Sequence, residues 1–227
     1  LVEDTNPDTS IPGANLIAGI GYISGVKCMI MIDDSGIKAG AASEATIDKA
    51  LGCLDIALKQ KLPCVHLVES AGVDLPNYSV KLWSKFGSVF YKKAKLSAAG
   101  IPVIAILHGF STAGGAYQIG MSDYVIGVKG NGMAALAGSA LLKAATGENA
   151  TNSEIGGVEM HSVVTGSVEY LVNDDAESIV TVRKLIDQLN WNENDAQKTI
   201  LNFEEPEYPI DDLAGIVPTD YSKAYDV

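Results

Sequence analysis

No unbroken apolar run reaches the roughly 18 residues that a membrane-crossing helix needs, so no membrane span is expected. Cysteine and histidine are scarce, three of each. Cys28, Cys53 and Cys64 form no C-x-x-C pair and sit in apolar runs. They read as buried thiols of a reducing compartment, not as a disulfide framework or a structural zinc site. His66, His108 and His161 form neither an i, i+4 pair nor an H-E-x-x-H motif, so no metal cluster is expected. His66 lies within an apolar run and reads as a core residue, whereas His108 borders a glycine-rich loop. Positive charge is also short, with 16 Lys and Arg against 28 Asp and Glu and a net charge of −12. That balance argues against a nucleic-acid partner or an anionic membrane surface, because phosphate binding draws on Lys and Arg. It leaves room for a local basic pocket. There is no P-loop. The first residue is Leu1 and no basic–apolar–small leader pattern follows, so the chain reads as a fragment or processed form.

What is present suits a packed globular domain. Hydrophobic residues make up 47% of the 227 and charged residues 19%. A chain of this length buries roughly two-thirds to three-quarters of its unfolded surface without disulfide or metal staples. Residues 1–15 are polar and contain proline, and read as an arm. LIAGIGYI and VKCMIMID, joined by Ser24-Gly25, carry a hairpin signal. Ser43 is placed to cap a helix over 44–61, whose Ile47, Ala50, Leu51, Leu54, Ala57 and Leu58 share one face. A second helix is expected over 79–99, with Leu82, Phe86, Val89 and Phe90 inward and lysines outward. A third is expected over 174–190, opened by Asp174 and Asp175. Buried strands are expected over Leu62–Glu69, Ile101–Leu107 and Asp123–Val128. Alternation of such strands with long helices implies an α/β fold with largely parallel pairing. Ligands of open α/β sheets sit beyond the carboxyl ends of strands, which singles out the loops 69–73 and 109–117. The tail from Phe203 is acidic.

Several motifs fall short of a known chemistry. Gly19-Ile20-Gly21 with Gly25 lacks the helix that a dinucleotide fingerprint requires. Gly109-Phe110-Ser111-Thr112-Ala113 misses the last glycine of a nucleophile elbow, so Ser111 reads as a loop hydroxyl. Thr112-Ala113-Gly114-Gly115-Ala116 is the strongest local signal. Small residues there allow close approach of a ligand to backbone amides, which suits stabilisation of a developing enolate or carbonyl oxygen. Close packing of a helix on a sheet calls for the same residues.

The stretch LSAAGIPVIAILHGFSTAGGAYQIGMSDYVIGVKGNG resembles the carboxyltransferase (β) subunits of biotin-dependent acyl-CoA carboxylases, most nearly the methylcrotonyl-CoA and geranyl-CoA type. GSALLKAATGE, EIGGVEMHSVVTGSVEYLVNDDAESI and EPEYPIDDLAGIVPTDYSKAYDV continue the resemblance, and LPCVHLVESAGVDLP is similar to the family's strand and D-S-G-G-A loop. The resemblance implies a crotonase-like (ClpP/crotonase) ββα superhelix over 16–227, corresponding to the N-terminal, acyl-CoA-binding domain. The C-terminal biotin-side domain would come from another protomer of a homo-oligomer. It further implies carboxyl transfer from carboxybiotin, carried on a biotin carboxylase/biotin carboxyl carrier subunit, to an acyl-CoA enolate. The setting would be the cytoplasm, or the mitochondrial matrix in a eukaryote.

On that resemblance, the amides near Ala71 and Gly72 and those of Gly114 and Gly115 are the catalytic groups. Ala113, Ala116 and Tyr117 line the cofactor side, and the lysines of 81–95 are candidate phosphate contacts. No metal is implied. A side chain at Gly115 is expected to obstruct the site more than it harms the fold. Two departures stand out. Ala137-Gly138-Ser139 replaces the family's Gly-Gly-Pro, and Glu69-Ser70-Ala71-Gly72-Val73 replaces Asp-Ser-Gly-Gly-Ala; both bear on acyl-chain specificity. Rival readings are an acyl-CoA decarboxylase subunit, a stand-alone crotonase-type hydratase or isomerase, and a non-catalytic assembly subunit. The hydratase reading meets Tyr117 where those enzymes carry an acid–base Glu, and no Glu occurs from Gly114 to Gly147.

Overall fold

In a computed structural model of the chain, residues 14–77, 79–191, 209–212, 218–220 and 222–224 are described. The chain divides into two units, Leu1–Asn192 and Glu193–Val227. Among its described residues the second unit shows a short 3-10 turn over Ile210–Asp212. It also shows a turn in which the Asp220 carboxylate accepts from the Ser222 amide (3.1 Å) and hydroxyl (2.6 Å). The rest of the expected acidic tail, and residues 1–13 of the arm expected over 1–15, lie outside the described residues.

The first unit opens with the expected hairpin. Leu16–Ile23 (β1) and Val26–Asp33 (β2) pair antiparallel, with Leu16 opposite Asp33. Ser24 and Gly25 both take positive φ (48° and 79°), as a tight two-residue turn between twisted strands requires. Cys64–Val68 (β3), Val103–Leu107 (β4), Phe110–Thr112 (β5), Tyr124–Val128 (β6), Met133–Ala135 (β7) and Tyr170–Val172 (β8) follow. One six-stranded sheet has the order β1-β2-β3-β4-β6-β8 and is parallel from β2 onward. β5 pairs with β7, also parallel, in a second small sheet. Ser111, expected in a loop, therefore sits in a strand.

Glu44–Gln60 (α1) begins with a capping box: the Ser43 hydroxyl accepts from the Thr46 amide and the Thr46 hydroxyl from the Ser43 amide, both at 3.3 Å. Val80–Ala98 (α2) is capped by Ser79, whose hydroxyl accepts from the Leu82 amide (3.1 Å). Gly114–Gly120 (α3), Ser139–Thr146 (α4), Asn152–Gly156 (α5) and Val158–Met160 (α6) are short; α6 runs on into a π turn over His161–Thr165. Asp175–Gln188 (α7) is capped by Asp174. Asn15, placed in the arm by its composition, is instead built into the fold. It is buried, its amide donates to the Ala41 carbonyl (2.7 Å), and its side-chain oxygen accepts from the Thr46 hydroxyl.

The helices cover both faces of the large sheet. On one face Ile47 and Leu54 of α1 and Leu82, Phe86 and Val89 of α2 pack with Met29, Met31 and Val103. On the other, Val182, Leu185 and Ile186 of α7 pack with Val65, Ile104, Ile106 and Ile126. A third cluster joins Leu107, Ile119, Val125, Ala134 and Val158, and so seats α3 and α6 at one end of the sheet. Each such side chain contributes about 1.5–3 kcal/mol on burial, so these clusters outweigh the caps.

The lysines of α2 differ in setting: Lys81 and Lys95 are exposed as expected, whereas Lys85 and Lys92 are half-buried. Lys81 and Lys85 pair with Glu44 of α1 (2.8 and 2.7 Å), Lys85 also with Asp48 (3.0 Å), and Lys92 with Asp55. Lys81, Lys85 and Lys92, three of the candidate phosphate contacts, thus also lace the two helices together. Lys93 points the other way and is fully buried.

Candidate active site

Three loops leave the carboxyl ends of β2, β3 and β4 and meet. Asp33, the last residue of β2, anchors two of them. Its carboxylate faces His66 Nε2 at 3.1 Å and accepts from the Glu69 amide at 3.2 Å. The loop after β3 then folds on itself. The Ser70 hydroxyl donates to the Gly40 carbonyl (2.9 Å) and accepts from the Gly72 amide (3.2 Å); the Ala71 amide donates to the Ala39 carbonyl (3.1 Å). Gly72 has φ +88°, which an L residue adopts only with strain. The Ser70 carbonyl accepts from the Thr112 amide (2.9 Å), which ties this loop to the strand leading into α3.

Ala113 is the pivot. Its φ of 50° and ψ of −120° are unusual for a residue with a Cβ, and such conformations cost about 1–3 kcal/mol and collect at functional sites. The surroundings hold it there: its amide donates to the carbonyls of Ala135 (3.0 Å) and Leu136 (3.2 Å) at the end of β7. The chain then turns into Gly114 and Gly115. Among the described residues, neither of those amides has a backbone or side-chain acceptor. Gly114 is half-buried and Gly115 buried. A Cβ on Gly115 would overlap the Ser70 carbonyl oxygen, and one on Gly114 would overlap the Phe86 ring. The packing requirement for glycine and the presence of unpaired amides therefore coincide. A side chain at Gly115, expected to obstruct the site more than it harms the fold, would strike backbone of the neighbouring loop, so damage to the fold comes with it.

The structure thus gathers Ala71, Gly72, Ala113, Gly114 and Gly115. An ideal Cβ on Gly72 lies 3.4 Å from both the Gly114 amide nitrogen and the Ala113 Cβ. The two pairs differ in their amides. Those of Ala71 and Gly72 are engaged within the protein, whereas those of Gly114 and Gly115 are open. Ala116 is half-buried and packs against the third core cluster. Tyr117 is exposed, with its ring 5.4 Å from that of Phe90, at the end of an aromatic row that includes Phe86 and Trp83.

Three candidate side-chain nucleophiles, Ser111, Cys28 and Cys64, are buried. Ser111 is fully buried, and its hydroxyl has no partner. Burial pushes the Cys64 thiol up to about 12 and Cys28 to about 11, so neither supplies thiolate at neutral pH. His66 is a core residue as expected, but with its Nδ1 unpartnered. His161, isolated in sequence, bridges the π turn and β7: its Nε2 lies 2.7 Å from the Ala134 carbonyl oxygen and its Nδ1 3.0 Å from the Thr165 hydroxyl. Among the described residues no group of three or more His, Cys, Asp or Glu could hold a metal, and no helix is long and apolar enough to cross a membrane.

Beneath the glycine pair lies a cavity of about 40 Å³, lined among others by Asp33, His66, Ser70, Lys93, Gly115 and Gln118. Sequence reasoning missed Lys93 and Asp33 here. The signal for Lys93 was legible: it continues the apolar stripe Leu82, Phe86, Val89 and precedes Leu96 by three residues. Burial pushes its ammonium down to about 8, against the longer-range pull of Cys64, Asp33 and Asp123.

Comparison with known proteins decides the family. The profile described as "Carboxyl transferase domain" matches residues 2–227. The chain belongs to the carboxyl transferase domain family. It is 40% identical to the mitochondrial methylcrotonoyl-CoA carboxylase beta chain of Dictyostelium discoideum, over 96% of this chain and 37% of that protein. Among solved structures, the geranyl-CoA carboxylase beta subunit of P. aeruginosa matches with a TM-score of 0.74 and 42% identity, over 94% of this chain and 40% of its own. Transcarboxylase 12S, described as a hexamer with hydrolysed methylmalonyl-coenzyme A bound, matches with a TM-score of 0.74 and 28% identity, over 93% of this chain and 41% of its own. This carboxyl transferase domain therefore spans about two-fifths of the length of these relatives, and its fold is the crotonase-like α/β fold expected from the sequence.

Proposed function

We propose that this domain is the acyl-CoA side of a biotin-dependent acyl-CoA carboxylase, and that the amides of Gly114 and Gly115 hold the carbonyl oxygen on which negative charge gathers. The observation that carries this reading is the pair of consecutive amides without acceptors, presented by a strained Ala113 at the carboxyl end of a parallel sheet. Loss of the proton beside a thioester places charge on the thioester oxygen. Amide donors fixed in advance stabilise that charge more than they stabilise the neutral carbonyl, which lowers the barrier and not merely the substrate's energy. Removing one such donor typically costs 10²- to 10³-fold in rate. The engaged amides of Ala71 and Gly72 do a different job: they pin their loop to the Ala39 carbonyl and to its own Ser70 hydroxyl, and that loop shapes the opposite wall.

Biotin, on a partner protein, supplies the transferable carboxyl group. The residues present suit a flat carbonyl-bearing group, because the Gly-Gly surface offers donors and no side chain. The remaining parts of the machine are a biotin carboxylase/carrier subunit and the C-terminal carboxyltransferase domain of another protomer. A homo-oligomer is supported by the hexamer named for transcarboxylase 12S. The three unpaired thiols suit a reducing compartment, the mitochondrial matrix or the cytoplasm.

The test is calorimetric titration of a panel of acyl-CoA thioesters into the complete protein, followed by carboxyl transfer with the biotinylated partner. Binding of at least one branched or unsaturated acyl-CoA and its carboxylation are expected. Absence of thioester binding to the folded protein would refute the reading.

A further inference from the structure

We propose that Lys93 is a positioning residue: its buried ammonium tethers the far end of α3 through the Gln118 carbonyl and thereby holds the Gly114–Gly115 amides in register. This rests on the reading of those amides given above. The tether is direct. Lys93 is 0% exposed, and its Nζ donates to the Gln118 carbonyl oxygen at 3.0 Å. The same oxygen accepts from the Ser122 hydroxyl at 2.8 Å.

The need for a tether follows from α3 itself. It has seven residues, of which Gly114, Gly115 and Gly120 are glycine. A helix that short is unstable alone, and each internal glycine weakens it further. Its position must be imposed by neighbours. At the glycine end these are the Phe86 ring and the Ser70 carbonyl, against which Gly114 and Gly115 are packed. At the other end, terminal carbonyls lack helical partners and need donors from outside. A charged donor makes a bond roughly twice as strong as a neutral one.

The choice of lysine is otherwise costly. Among the described residues it forms no ion pair, and Asp33 and Asp123 act on it only at longer range. An apolar side chain of similar length would complete the stripe of α2 without desolvating a charge. Lys93 also lines the cavity that Gly115, Gln118 and His66 share, which is large enough for a water to take up its remaining protons. Its lowered titration to about 8 is what such a setting produces.

The experiment compares wild type with Lys93→Met in the complete protein, by hydrogen exchange of the peptide covering residues 114–121 and by steady-state carboxyl transfer. Exchange in that peptide is expected to quicken at least tenfold, with α1 and α7 unchanged. Turnover is expected to fall at least tenfold while the KM for acyl-CoA stays within threefold. Lys93→Gln, which restores a neutral donor, is expected to recover part of both and covers the case in which Lys93→Met does not fold. Faster exchange with unchanged turnover would uphold the tether and overturn the role given to the amide pair. Unchanged exchange in folded Lys93→Met would overturn the tether, whatever the activity does.

Discussion

Lys93→Met should make this domain more stable at pH 7, and the difference should change sign in alkali, where wild type becomes the more stable. Lys93 titrates near its ordinary 10.5 in the unfolded chain and at about 8 in the fold, where burial disfavours its charge. That gap corresponds to a penalty of about 3 kcal/mol. The unfolded chain therefore holds a proton between pH 8 and 10.5 that the folded chain does not, so raising the pH through this window favours folding. The penalty is fully present below pH 8 and relieved by pH 10.5. Methionine removes it but also removes the bond to the Gln118 carbonyl, worth about 1.5–3 kcal/mol for a charged donor. The net gain at neutral pH is thus about 1 kcal/mol, whereas its drift with pH retains nearly the whole 3 kcal/mol. The buried thiols of Cys28 and Cys64, raised to about 11 and 12, pull stability down above pH 9. They are common to both proteins and largely cancel in the difference. Urea titrations of the two proteins at pH 7, 8, 9 and 10, followed by far-UV circular dichroism, measure the effect. A stability difference that stays constant from pH 7 to 10 would show that Lys93 is not a buried ammonium and would remove the basis of the tether.

Gly115→Ala places a methyl group against the Ser70 carbonyl oxygen; a loss of about 1–3 kcal/mol is expected in thermal or urea melts. Ser111→Ala removes a buried hydroxyl that has no partner. It should leave stability equal or higher by about 1 kcal/mol and carboxyl transfer within twofold, and abolished transfer in a folded protein would revive a serine nucleophile.

The long elements were legible because their periods are long. The hairpin turn at Ser24-Gly25, the Ser43 cap and the stripes of α1, α2 and α7 appear where the pattern puts them. β5, β7 and β8, at three residues each, are too short to show any period, which is why Ser111 read as a loop. At the site, Gly114-Gly115 stood out by composition, and Ala71-Gly72 entered through the family resemblance. The division of labour between those pairs was not visible, because it depends on partners distant in sequence: Ala39, Gly40, Ala135 and Leu136. Lys93 was misread because lysine is expected outside, although its place in the stripe said otherwise. Asp33 was missed because it ends a strand, and only the fold brings it to His66 and Glu69.

The most direct measurement replaces single amides at Gly114 and Gly115 by esters, by incorporating glycolic acid at each position in turn in the complete protein. The change deletes one N–H and adds no atom that could strike Ser70 or Phe86. Carboxyl transfer to acyl-CoA should fall by about 10²- to 10³-fold for at least one position, with melting temperature and acyl-CoA affinity little changed. Transfer within threefold of wild type for both esters would contradict the assignment of the Gly114–Gly115 amides to the reacting oxygen.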